Sequence, residues 1–91
     1  MEERKIEKIE YSRKFLKSVR RLPKKIIEKA GRKEEVFRED PFHYSLRTHK
    51  LSGKEKELWA FDVNYYYRIK FIFLSDEEVL FLDIGTHNIY E

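Results

Sequence analysis

The spacing of apolar residues changes period part-way along this 91-residue chain, and that change limits the folds open to it. Phe15, Val19 and Leu22 recur at i, i+4 and i+7 with Leu16 beside them, one stripe of a helix. Arg13, Lys17, Arg20 and Lys24 hold similar spacing on the opposite face. Ser12 stands where an N-cap is wanted. Pro23 has no N–H to donate, so it breaks or restarts the helix. A second helix is expected from about Lys24 to Arg38, with Ile26, Ala30 and Phe37 on its inner face and Ile27 at the edge. Lys25, Lys29 and Arg32 form a second basic row. Gly31 weakens this helix, and Asp40-Pro41 ends it.

Beyond Pro41 the pattern is lost until about Lys56, in a segment that carries His43, His49 and the turn signal Ser52-Gly53. The period then becomes two. Trp59, Phe61 and Val63 alternate in one strand, and Tyr67, Ile69, Phe71 and Phe73 in the next, with a tight turn near Asn64. Ser75-Asp76-Glu77 marks another turn. Val79, Leu80, Phe81, Leu82 and Ile84 belong to a last strand, apolar on both faces, and Gly85-Thr86-His87 closes it. A short first strand is expected over Lys5 to Tyr11. The order β-α-α-β-β-β predicts an α+β fold, a helical hairpin packed on one face of a small antiparallel sheet. If Tyr67, Ile69, Phe71 and Phe73 face the helices, Tyr66, Arg68 and Lys70 face away, since burying an unpaired Arg is costly.

A chain this short holds a single domain, residues 1–91, with roughly 60–70% of its unfolded surface buried on folding. It has no Cys, which excludes disulfides and thiolate zinc sites. No apolar run approaches the 20 or so residues of a membrane span, and no signal peptide is visible, so a cytoplasmic location is expected. The net charge of +3 is unevenly spread. Residues 1–33 carry 13 basic and 5 acidic groups, whereas residues 54–91 carry 4 and 8. The helical third is therefore either an anion-binding surface or a solvated face.

The chain lacks a Gly-rich phosphate loop, a GxSxG elbow and any His pattern of metal-ligand spacing, so no cofactor and no metal are expected. What remains is His49, Arg68 and His87, with Tyr90 three residues on. Cleavage of an RNA phosphodiester needs a base for the ribose 2′-OH, a cation for the phosphorane-like transition state and an acid for the leaving 5′-oxygen. Imidazole, with an ordinary pKa of about 6.5, suits either proton transfer. The planar fork of Arg suits the phosphate.

The segments His49-Lys50-Leu51-Ser52-Gly53, Leu58-Trp59-Ala60-Phe61, Tyr67-Arg68-Ile69 and Asp83-Ile84-Gly85-Thr86-His87 resemble, in this order, the RelE/ParE superfamily of toxins, and most of all its RelE/YafQ-type branch. The resemblance implies the toxin half of a type II toxin–antitoxin module. It implies a metal-independent endoribonuclease (an mRNA interferase) acting on the ribosome. The implied partners are a cognate antitoxin, mRNA and the ribosome, whose 16S rRNA the basic helices would contact. By position, His49 looks like the family's first active-site His and Arg68 like its phosphate-binding Arg. His87 falls where the family has a catalytic His or Arg, and Tyr90 falls near a base-stacking aromatic. Lys50, Lys54, Lys56, Tyr66 and Lys70 are expected along the RNA. The chain departs from the YafQ-like pattern in two places. Asp83 replaces an Arg four residues before the last His, and Tyr90 comes one residue early. An acid at 83 would orient His87, pair with Arg68 or repel substrate. Two alternatives stay open, a ParE-like gyrase poison and an inactive homologue that binds RNA or antitoxin. Trp59 is expected in the core or facing an antitoxin, and His43 to be structural or solvent-exposed.

Overall fold

The computed structural model describes residues 5–52 and 57–86. His87 and Tyr90, and with them Lys54 and Lys56, lie outside the described residues. The chain runs β1 (Lys8–Tyr11), α1 (Arg13–Val19), α2 (Lys24–Glu39), a 3-10 turn (Tyr44–Leu46), β2 (His49–Lys50), β3 (Trp59–Asp62), β4 (Arg68–Phe73) and β5 (Glu78–Gly85). The strands form one sheet in the order β1-β5-β4-β3-β2, on which the two helices pack. The α+β architecture and the helical hairpin are those the periodicity predicts.

The structure differs from the expectation in two respects. The sheet is mixed: β2 to β5 pair antiparallel, but β1 lies parallel to β5, with Lys8 opposite Glu78 and Tyr11 opposite Phe81. Parallel neighbours need a long crossover, and the two helices and three strands between β1 and β5 supply it. The stretch read as irregular between Pro41 and Lys56 also holds the 3-10 turn and the two-residue strand β2, too short to show a period.

Local chemistry sets the joints. Ser12 Oγ accepts from Phe15 N at 2.9 Å, capping α1 as expected. The same hydroxyl donates to the Leu82 carbonyl at 2.7 Å. Lys70 faces Asp83 but Phe71 faces Phe81, so Leu82 is the extra residue of a β-bulge. A bulge disrupts the ladder locally, and Ser12 takes up the Leu82 carbonyl there. Pro23 directly precedes α2, where its missing donor costs nothing. Asn64 Oδ1 accepts from Tyr66 N and Tyr67 N at 2.9 and 2.8 Å, which shapes the turn between β3 and β4.

The core is aromatic. Phe37 of α2 is fully buried, with ring centroids 4.8 Å from Phe61, 5.0 Å from Phe71 and 5.5 Å from Phe81. Phe15, Ile6, Ile9, Leu46, Val63, Ile69, Val79 and Ile84 complete it, and Val19, Leu22, Ile26 and Ala30 pack against it from the helical side. Trp59 joins from the sheet, stacked edge-on against Phe42 and Phe73. With this side of the sheet occupied, His49, Asp62, Arg68 and Lys70 turn to the opposite face.

Candidate functional site

Cross-strand partners share a face, so the register assembles the site. His49 lies opposite Ala60 and Ala60 opposite Lys70. One step along, Asp62 lies opposite Arg68 and Arg68 opposite Gly85. His49, Asp62, Arg68 and Lys70 therefore occupy the face away from Phe61, Ile69 and Phe71. Gly85 contributes no side chain beside Arg68.

His49 is exposed at the sheet edge, and its Nδ1 lies 3.0 Å from the Arg47 carbonyl oxygen. A carbonyl only accepts, so Nδ1 carries the proton and the neutral ring keeps its lone pair on Nε2. Arg47 presents that carbonyl from a left-handed backbone, φ 53° and ψ 41°, the sole non-glycine residue at positive φ among those described. Such conformations in a bulky residue are uncommon and collect at functional sites.

Arg68 is held by a residue the sequence reading missed. Its Nε is 3.2 Å from Asp62 Oδ1, and both side chains are only 15% exposed. Asp62 Oδ2 is 3.9 Å from Arg47 Nε. Two guanidiniums thus share one carboxylate. Asp62 Oδ1 is buried and accepts no hydrogen bond from the described residues, so charge rather than a directed N–H···O bond joins it to Arg68. A buried acceptor without a donor is unfavourable, and a ligand hydroxyl would satisfy it. The opposite charges flanking the Val63–Tyr67 turn are visible in the sequence, but nothing in it sets them opposite each other.

The other predicted residues separate by face. Lys50 lies opposite Trp59, with Nζ 6.0 Å from that ring's centroid, and so stands on the helix side of the edge, away from His49 and Arg68. Lys70 shares the open face. Tyr66 belongs to the turn rather than to β4 and is 65% exposed, its ring T-shaped against Tyr65. Asp83 finds its partners on α1: Ser18 Oγ donates to it at 2.7 Å and Lys14 Nζ lies 3.5 Å away. The carboxylate beside Arg68 is Asp62. His43 caps the 3-10 turn by accepting from Ser45 N, a structural role as expected.

In chemical terms, the face offers a base-competent imidazole nitrogen, a guanidinium steadied by a carboxylate, and a lysine. Such a set binds an anion and can move a proton beside it.

No family model matches the chain, and no curated protein matches it in sequence. Solved structures do match in three dimensions. A YoeB/ParE toxin from Agrobacterium tumefaciens superposes with a TM-score of 0.74 at 14% identity, over 88% of this chain and 98% of that one. The archaeal RelE–RelB complex from Pyrococcus horikoshii OT3 gives 0.70 at 16%, over 87% and 92%. The E. coli DinJ–YafQ toxin–antitoxin complex gives 0.72 at 22%, over 89% and 92%. The fold is that of the RelE/ParE-type toxins.

Proposed function

We propose that this chain is the toxin of a type II toxin–antitoxin pair and cleaves RNA as a metal-independent endoribonuclease, acting on mRNA in the cytoplasm at the ribosome. The observation that carries the reading is the pairing, on one open sheet face, of an Arg68 steadied by Asp62 with a His49 whose Nε2 is kept for accepting a proton. The RelE-like fold and the toxin–antitoxin complexes among its neighbours support the toxin role and an antitoxin partner.

In this mechanism His49 Nε2 takes the proton of the ribose 2′-OH. The 2′-oxygen attacks phosphorus, and Arg68 stabilises the charge that gathers on the phosphoryl oxygens. The bond to the 5′-oxygen breaks as an acid, assigned to His87, gives that oxygen a proton. The products are a 2′,3′-cyclic phosphate and a 5′-hydroxyl. Tyr90 is assigned to stacking on a base, and Lys54, Lys56 and Lys70 to neighbouring phosphates.

Growth and mRNA 5′ ends after induction test this. Wild-type chain should arrest growth and create new 5′ ends clustered within codons. His49→Ala, His87→Ala and Arg68→Ala should each lower cleavage by about 10²-fold or more. Full toxicity in all three overturns the mechanism. Intact mRNA with a DNA-damage response would point instead to a gyrase poison.

A further inference from the structure

Beside the candidate centre, an open cleft of about 240 Å³ lies between α2 and the β3–β4 turn, lined among others by Lys29, Lys33, Arg47, Asp62, Asn64 and Tyr65. We propose that this cleft is a second nucleotide subsite, which holds a phosphate of single-stranded RNA between Lys29, Lys33 and Arg47 and stacks that nucleotide's base on Tyr65. The inference rests on the RNA reading above and adds to it where the strand runs.

Lys29 and Lys33 are one helical turn apart on α2 and half-buried, unlike the exposed Lys24, Lys25 and Arg32 of the same helix. Lys33 Nζ donates to the Ser45 carbonyl at 3.3 Å, which ties it to the far wall. Neither lysine pairs with a carboxylate among the described residues. Arg47 closes the third side. The one acid among the described residues lining the cleft, Asp62, already answers Arg47 and Arg68. The cleft therefore holds an excess of positive charge, and a concave wall focuses that field on an anion. Its volume is below the range of whole small-molecule pockets and suits a phosphate group.

The aromatic half of the site is independent of the charge. Tyr65 is 79% exposed on the cleft rim, and the Asn64 side chain fixes the turn that carries it. An exposed aromatic on a rigid turn beside converging cations is the arrangement by which single-stranded nucleic acid is held without reading its sequence. Asp62 forms the wall common to the cleft and the Arg68 site, so a strand that fills both passes from the sheet face over the β3–β4 turn.

Binding of a fluorescein-labelled single-stranded RNA hexamer by the purified full chain tests the subsite, read by anisotropy over a salt series. Wild type should bind with a salt slope that Lys29→Ala/Lys33→Ala lowers by about 0.7, the share of one phosphate on a single strand. Tyr65→Ala should weaken binding by about tenfold or more, and Tyr65→Phe should restore it. Tyr65 is exposed enough for its variants to fold as wild type does, which circular dichroism verifies. Wild-type binding with no loss in any cleft variant overturns the subsite and leaves the RNA reading standing. Absence of hexamer binding by wild type overturns the subsite, and the mRNA 5′ ends after induction then decide the RNA reading separately. Oligoglutamate of equal charge that binds as well as RNA, with Tyr65→Ala silent, overturns the subsite in favour of an acidic protein segment.

Discussion

At the scale of single residues, Asp62 connects most of what the site does. It meets Arg68 through one oxygen and Arg47 through the other, and Arg47 in turn offers its carbonyl to His49. Replacing Asp62 by Ala removes one counter-charge from a mostly buried guanidinium. That change should lower stability by about 2 kcal/mol in urea denaturation, with the cleavage rate falling as well. Asp62→Asn keeps the shape and should recover part of the stability but not the rate. An Asn variant as active as wild type would remove Asp62 from the mechanism. His49 and Arg68 were singled out in the sequence by elimination and by the family resemblance, His49 from a stretch read as irregular and Arg68 from amid alternating apolar residues. Asp62 was not, because it occupied an ordinary outward position between Phe61 and Val63. Only the length of the following turn, which starts β4 at Arg68, sets the two opposite each other. The left-handed conformation of Arg47 had no signal at all, since Gly or Asn is the usual occupant.

Between elements, a few side chains outside the core fasten strand to helix. Tyr11 of β1 donates its hydroxyl to Glu34 of α2, whose Oε2 also lies 3.5 Å from Arg38 Nη2. Burial and the Glu34 carboxylate push the Tyr11 hydroxyl up to about 12, with Arg38 opposing. The folded state therefore prefers the neutral phenol, and the stability this gives is complete below pH about 10, the ordinary tyrosine value. It is lost as pH rises through about 12. Urea midpoints measured from pH 8 to 12 should fall more steeply in wild type than in Tyr11→Phe over that window. Parallel curves would mean that Tyr11 carries no such linkage. The helices and their inner faces were legible because their apolar stripes run about two turns in α1 and three in α2, and Ser12 announced where α1 starts. The parallel placement of β1 was not, because four residues with Ile9 as their single buried side chain carry no sign of strand direction. Nor did alternation reveal that Tyr65 and Tyr66 belong to a turn, since the Asn64 side chain diverts the backbone there.

The whole molecule is organised around Phe37, whose ring touches three strands at once. Phe37→Ala should cost about 3–5 kcal/mol. A domain of this size has roughly 5–14 kcal/mol in total, so thermal unfolding should show a large drop in Tm and partial unfolding at 37 °C. A drop of only a few degrees would mean that the aromatic cluster repacks around the gap. The fold class and the burial of this cluster were legible, because four phenylalanines at the two periods leave few ways to meet. The site as a unit was less so, since its members come from β2, β3 and β4 and meet only through the register. The placement of β5 adds a constraint in time. This strand sits between β1 and β4, bonded to both, and Lys8 pairs with Glu78. During synthesis the first strand must wait for the last before the sheet can close. A chain halted before residue 78 has no seat for β1 and no carbonyl for Ser12, and its aromatic core stays open. Such a nascent chain is exposed to proteolysis and to aggregation, and the assembled site exists only once nearly all of the chain has been made.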